Sequence, residues 1–258
     1  MAISAVFRHL VRSMREHNVL PQAGALLEIG EANWYGPVDY AELQADIDKF
    51  VTDPERRAAL SRRVEQLPRD DQEIIIFNAV KVFYDIFFAP CEVQAIDYGG
   101  TPAALRLDLN EPVTLSRRFN VIINHGTAEH VFNIAQVFRT MHDWTVPGGM
   151  MIHESPFTGW IDHGFYNLQP TLFVDVAEYN GYQILGLFVE DIANNVLFQV
   201  QKREDVYEMA KQKSFPENAL LFVVFSKGPI DQPFRVPIQG YYRESLSESG
   251  MKAWSELR

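Results

Sequence analysis

Residues 119–131, FNVIINHGTAEHV, read as a buried strand, a glycine turn and the entry to a helix. Phe119 to Ile123 is a short apolar run of the kind that fills the inside of a parallel sheet, and His125-Gly126 interrupts it. A helical stretch from Val131 to Trp144 follows, stopped by Pro147 and the Gly148-Gly149 turn. Met150 to His153 is then the next apolar run. Strand, crossover helix and strand in this order predict a βαβ unit, and therefore parallel pairing.

Working outward, Ala25 to Ile29 is an apolar run ending in Gly30, and Val93 to Ile96, Ala104 to Leu107, Tyr182 to Val189 and Leu220 to Phe225 read as further strands. Phe7, Leu10, Val11 and Met14 follow helical spacing, with Arg8, Arg12 and Arg15 mostly opposite, which predicts a packing helix within residues 1–20. Asp39 to Gln66 is charged and rich in Ala and Leu, and Pro68 closes it, so residues 39–70 read as a helical insertion after the first strand. Ile75, Ala79, Val82, Phe83 and Ile86 recur at helical spacing and stop before Pro90, the pattern of a helix that covers the sheet. The tail, residues 229–258, carries Pro229, Pro233 and Pro237 and reads as irregular until a helix near Ser245. The expected fold is a single α/β domain, residues 1–258, with a doubly wound, mostly parallel sheet.

A chain of 258 residues, 47% of them hydrophobic, can build one large core. Its formal net charge of -11 argues against gripping nucleic acid through phosphates, a mode that needs clustered Lys and Arg. A small-molecule substrate is the expected partner, and a homodimer is left open. The lone Cys91 cannot form an internal disulfide and precedes an apolar strand, which suits a reducing compartment and a buried, inert thiol. The N-terminus shows no apolar stretch followed by a small-residue cleavage site. The most apolar run, Ile74 to Ala89, is interrupted by Lys81 and Asp85 and is shorter than the ~20 residues of a membrane-spanning helix. A soluble, cytoplasmic protein without a membrane segment is expected.

In an open parallel sheet, ligands bind beyond the carboxyl ends of the strands, so Gly30, Asp97, Asp108, His125 and His153 are site candidates by position. An acidic residue ending the second strand can accept hydrogen bonds from both hydroxyls of a ribose, the role expected of Asp97. The ordered series ALLEIG (25–30), AIDYGG (95–100), LRLDLN (105–110), FNVIINHGTAEHV (119–131), VPGGMMIHESP (146–156) and NGYQI (180–184) resembles the class I S-adenosylmethionine-dependent methyltransferases. The likeness is closest from Asp108 through Tyr182, extends to residues 25–36 and 92–107, and leaves the helical insertion and the tail uncovered. It implies a Rossmann-like fold, S-adenosylmethionine as cofactor, and cofactor contacts from Glu28, Gly30, Asp97, Asp108 and Asn124. Asp108, followed by Leu109 and Asn110, reads equally well as an Asx turn ending a strand. The first loop departs from the family, which carries two or three glycines there. Here it reads Glu28-Ile29-Gly30-Glu31-Ala32-Asn33-Trp34-Tyr35-Gly36, with Trp34 and Tyr35 at positions of small residues, where they are expected to contact substrate.

Methyl transfer is an in-line displacement, so the protein aligns the reactants and removes a proton when the acceptor is a hydroxyl. Histidine suits that work near neutral pH. His125 and His163 lead as bases and His153 is the third candidate, although a histidine beside a glycine also caps turns. His130, beside Glu129, reads as a structural part of its turn. Histidines with Asp162 and Glu154 also suggest a divalent ion, but no pair has the i, i+4 helical spacing that makes such a signal specific, so no metal is expected. In PFTGWIDHGFYNLQ (156–169), Trp160, Phe165 and Tyr166 are placed to line a pocket for a hydroxylated substrate, a sugar or a decorated natural product. The segment HGFYNLQP is similar to segments of methyltransferases from sugar and polysaccharide pathways. Two other readings stand beside O-methylation. One is a methyltransferase-fold protein repurposed for binding or assembly. The other is a nicotinamide-dependent oxidoreductase, ranked last because no G-x-G-x-x-G follows the first strand.

Overall fold

The computed structural model describes residues 2–21, 23–68 and 72–257, without the side chains of residues 72–75 and 91. The expected burial of Cys91 and the place of Ile75 on a helix face lie outside the described residues. The chain packs as two compact units, Met1–Arg106 and Leu107–Arg258.

In the first unit the order is β1 (Ala2–Ile3), α1 (Ala5–Glu16), β2 (Gly24–Ile29), β3 (Asn33–Trp34), α2 (Tyr40–Phe50), α3 (Pro54–Glu65), α4 (Gln72–Phe87) and β4 (Pro90–Ile96). β1 pairs in parallel with β3, and β2 with β4, Leu26 standing opposite Val93 and Ile29 opposite Ile96. The expected helical insertion consists of the two helices α2 and α3. Asp53 accepts the backbone N–H of Arg56, and Pro54 takes the first helical position, where its missing donor costs nothing. α4 packs through Phe83, whose ring meets Phe7, Trp34 and Phe87 at centroid distances of 6.4, 6.1 and 4.6 Å.

The expected strand Ala104 to Leu107 is not formed. Only a single parallel bridge, Ile96 to Leu105, remains of it. Pro102 has no N–H to offer a ladder. The Arg106 guanidinium instead turns back onto the carbonyls of Asp97, Gly100 and Thr101, tying the segment into a loop.

The second unit runs β5 (Phe119–His125), a 3-10 turn at Ala128–His130, α5 (Ile134–Trp144), β6 (Thr145–Thr158), α6 (Pro170–Asn180), β7 (Gln183–Asp191), β8 (Val196–Gln199), α7 (Arg203–Lys211), β9 (Ala219–Ser226) and α8 (Glu248–Glu256). β5 and β6 are parallel, and β9 is antiparallel to both β6 and β7, so β5, β6 and β7 share one direction. β8 folds back on β7 as a hairpin. The expected βαβ unit is therefore present as β5–α5–β6, with helix and strand meeting at Thr145 and the Gly148-Gly149 turn inside a register shift between Phe119 and Val121. The fold class is α/β and Rossmann-like.

Apolar residues of β6 and β9 form the core of this unit with Phe173 of α6 and Met141 of α5. Lys227, buried just past β9, donates to the carbonyls of His142 and Thr145 at 2.7 and 2.9 Å and so anchors the α5–β6 junction. Among the described residues, no helix is long and apolar enough to cross a membrane.

Candidate active site

In the first unit the loop after β2 is built from carboxylates. Glu28 is wholly buried and committed to the fold: its carboxylate accepts from Lys81 Nζ at 2.5 Å, the Tyr84 hydroxyl at 3.0 Å and the Ala32 N–H at 3.1 Å. Burial pushes its pKa upward, and the Lys81 ammonium opposes that. Gly30 has φ +82 and donates its N–H to Ile96 at 2.8 Å, a close strand-to-strand approach in a backbone region that glycine enters without strain.

Asp97, half-buried at the end of β4, accepts the Glu31 N–H at 2.8 Å and the Gly99 N–H at 2.7 Å, one on each oxygen. A carboxylate offers about four lone-pair sites, so both oxygens retain capacity for a ligand. Glu31 occupies the ground beside Gly100. Its carboxylate accepts the Thr101 N–H at 2.6 Å and hydroxyl at 3.1 Å, and a Cβ on Gly100 would stand 2.7 Å from it. Trp34 is packed inside this unit under the Arg8 guanidinium, 4.3 Å from its ring, whereas Tyr35 is exposed.

In the second unit His125 ends β5 and lies opposite Glu154 of β6, with Nδ1 2.9 Å from the Glu154 carboxylate. His153, its neighbour in sequence, points to the other face because side chains alternate along a strand. It is packed among Phe138, Phe173 and Phe225, and burial pushes its pKa down to about 3, so it stays neutral there. Asn124 is buried, its Oδ1 accepting the N–H groups of Thr127 and Ala128, while its Nδ2 has no hydrogen-bond partner. Asp108 is exposed and forms an Asx turn with Asn110, whose backbone and side-chain N–H groups hold its pKa below the ordinary range.

Glu154 and two further buried carboxyls that act on it electrostatically, Glu129 and Glu190, form a group that sequence reading did not single out. Burial pushes Glu154 up to about 8, Glu129 to about 7 and Glu190 to about 7, repulsion from Glu154 adding to the last two. Both Glu129 oxygens and one of Glu190 lack hydrogen-bond partners. Buried polar groups are nearly always paired, which makes this cluster a candidate functional site. The one signal that could have found Glu154 is the two-residue strand period, which puts one of His153 and Glu154 on the His125 side without saying which.

The loop 158–166 follows β6. Gly159, Trp160 and Asp162 have φ of +69, +53 and +62, a left-handed run that non-glycine residues enter at a cost. Trp160 is half-buried, its indole N–H donating to the Ala219 carbonyl at 3.1 Å, and its ring lies 4.8 Å from that of His163. Phe165 is exposed against Phe132, and the Tyr166 hydroxyl donates to the Phe132 carbonyl at 2.7 Å. His163 reaches the buried Glu129, Nε2 to Oε1 at 3.7 Å, and its ring neighbours that of His130 at 4.9 Å. Burial and the nearby His163 lower the pKa of His130.

The raised carboxyls set a stability slope. A carboxyl with a pKa above its unfolded value binds a proton in the folded state that the unfolded chain has lost, so its contribution is present below about pH 4.5 and declines as pH rises through the folded value. Between about pH 4.5 and 8 unfolding free energy is expected to fall, by up to about 1.4 kcal/mol per pH unit for each of these groups that is still protonated in the folded chain. Urea melts of Glu154→Gln and Glu190→Gln would each show a flatter slope than the parent protein. An unchanged slope would contradict the assignment.

No family model matches this chain, and no curated protein does. The solved structures that resemble the α/β arrangement include S-adenosylmethionine-dependent methyltransferases. One of that type, from Mesorhizobium loti, is 13% identical over 87% of this chain and 98% of its own, with a TM-score of 0.42. TehB from Haemophilus influenzae is 8% identical with a TM-score of 0.43; the match covers 87% of this chain and 63% of TehB, less than two thirds of its length. The O-methyltransferase from a trans-AT PKS multienzyme of Brevibacillus brevis, solved with S-adenosyl-L-homocysteine, is 8% identical over 97% of this chain and 78% of its own, with a TM-score of 0.40.

Proposed function

We propose that this protein is an S-adenosylmethionine-dependent methyltransferase that methylates an oxygen of a small polar molecule, with the His125–Glu154 pair removing the proton. The observation that carries this reading is the buried histidine held by a buried carboxyl at the carboxyl end of β5, among further polar groups without hydrogen-bond partners. When bound, S-adenosylmethionine supplies an electrophilic methyl group on its sulfonium. Asp97 has carboxylate lone pairs left for ribose hydroxyls, and Gly30 lets the backbone come close to a ligand. Glu28, without exposed surface, acts by holding the loop at Ala32. Asp108 and the unpaired Asn124 amide are the remaining cofactor contacts on this reading.

The base is best described as a pair. Below its titration the pair carries two protons, the Glu154 acid facing Nδ1 and the second proton on Nε2. Loss of one proton leaves a carboxylate receiving Nδ1–H, which makes Nε2 the basic nitrogen. Because burial pushes Glu154 up to about 8, the base-competent form grows as pH rises through that value. A rate against pH that climbs to a plateau above about 8, and loses that limb in Glu154→Gln, is expected.

Trp160, Phe165, Tyr166 and His163 supply aromatic and polar groups suited to a hydroxylated substrate such as a sugar. The acidic charge and the single cysteine favour a small-molecule partner and a cytoplasmic setting, and a homodimer is compatible with both.

Calorimetry with S-adenosylmethionine and S-adenosylhomocysteine tests the reading. Micromolar binding is expected, weakened about 10- to 100-fold in Asp97→Ala, since hydrogen bonds to a charged group contribute about 1.5–3 kcal/mol each. No binding of either compound to the folded chain would refute it. The Glu31 carboxylate beside Gly100, where the family has a glycine-rich turn, favours one second reading, a protein that keeps the fold for binding or assembly. Cofactor binding with no transfer to any hydroxylated acceptor would support that alternative.

A further inference from the structure

We propose that Glu129, His130 and His163 form a binding site for a divalent transition-metal ion of the zinc type. Each residue offers one ligand atom, and the three atoms lie within 4.8 Å of one another. Glu129 Oε1 and His163 Nε2 are 3.7 Å apart. Around a tetrahedral zinc with bonds of about 2.0–2.2 Å, ligand atoms stand roughly 3.3–3.6 Å from each other. Small rotations of the two imidazoles, both on exposed residues, close the difference.

The carboxylate is the telling group. Glu129 is wholly buried, yet neither oxygen has a hydrogen-bond partner, and Oε1 faces His163. An uncompensated buried carboxylate is costly, and a bound cation would offset that cost. Two imidazoles with one carboxylate match the His2Glu set of zinc sites, with a fourth position open to water. Hard ions such as magnesium and calcium favour all-oxygen ligands, so this donor set selects against them.

The backbone holds the three residues in place without the ion. Glu129 and His130 share the 3-10 turn, and the Phe165 N–H donates to the Glu129 carbonyl at 2.8 Å. A Cβ on Gly164 would stand 3.0 Å from that carbonyl oxygen, and one on Gly126 would stand 3.2 Å from Glu129 Oε1, so both glycines leave room for the acid. The left-handed run at residues 159–162 delivers His163 to the same point, its N–H donating to the Trp160 carbonyl at 3.2 Å.

The chelator-treated protein titrated with zinc chloride in a calorimeter is expected to bind one ion. Cobalt in its place would show the visible bands of a four-coordinate ion. His163→Ala, His130→Ala and Glu129→Gln should each weaken zinc binding about 100-fold or more, since loss of even an outer-shell partner typically costs about 10- to 100-fold. Asp162→Asn, beside His163 but outside the cluster, should bind as the parent does. Melting curves of the metal-free variants establish that they are folded, and His163→Ala alters only an exposed side chain. No saturable zinc binding, or an affinity that the three ligand variants leave unchanged, would overturn the proposal. The titration uses no methyl donor, so its outcome is separate from that of the methyltransferase reading.

Discussion

Replacing His125 by asparagine is expected to slow methyl transfer about 10²- to 10⁴-fold, the usual contribution of a positioned general base. His125 sits at the end of β5 with Nδ1 2.9 Å from Glu154, an arrangement that fixes the ring and ties its proton to a second titrating group. The asparagine variant should bind S-adenosylhomocysteine as the parent does, because the loss falls on proton removal and leaves the cofactor contacts intact. Product formation from a hydroxylated acceptor, measured alongside melting temperature, checks this. A folded variant with a rate within about tenfold of the parent would exclude His125 as the base. His153→Phe offers the contrast: His153 stacks on Phe138 at 5.2 Å and has a buried Nδ1 without a partner, so an apolar ring there should leave the rate and the stability nearly unchanged.

Replacing Lys81 by alanine is expected to destabilise the protein by about 3–5 kcal/mol near pH 7, since it strands a buried carboxylate. Lys81 Nζ lies 2.5 Å from Glu28 and 3.6 Å from Glu31, and Glu28 has no contact with water. Burial already raises the Glu28 pKa, and without the ammonium it rises further. The folded variant then holds a proton that the unfolded chain has released, so its deficit should be small near pH 5 and grow as pH rises. Urea unfolding at pH 5 and pH 8 reads both effects. The double variant Glu28→Gln, Lys81→Met should regain much of the loss, because removing both charges leaves no unpaired ion. A loss below about 1 kcal/mol at both pH values would show that the pair contributes little.

The βαβ reading of residues 119–153 matched the structure because it rests on local causes. An apolar run of strand length and a helical period each act over a few residues, and β5 and α5 appear where those signals lie, whereas β6 begins already at Thr145 and carries Pro147, Gly148 and Gly149 inside it. The run Ala104 to Leu107 carried the same apolar signal and failed, since Pro102 and the Arg106 side chain set the local hydrogen bonding. Residues 39–70 read as a helical insertion, which the described part bears out as α2 and α3, and Asp53-Pro54, a turn signal in the sequence, marks the break between them. The hairpin partner β8 and helix α7 were not legible: β8, Val196–Gln199, is apolar but only four residues long, and α7 is short and mostly polar.

Sequence alone determined the α/β class, the order of the main strands, and the strand-end positions where Asp97 and His125 stand, whereas His153, expected at a strand end, lies inside β6. Tertiary structure alone decided which of those residues meet. It turned His153 into a core packed with phenylalanines and brought Glu154 to His125. It paired Lys81 with Glu28 across 53 residues, and it closed the loop at His163 over Glu129. The reason is physical: periodicity and turn chemistry are properties of neighbouring residues, whereas burial, pairing and pKa depend on what the folded chain places within a few ångströms, and a one-residue step along a strand is enough to change the face.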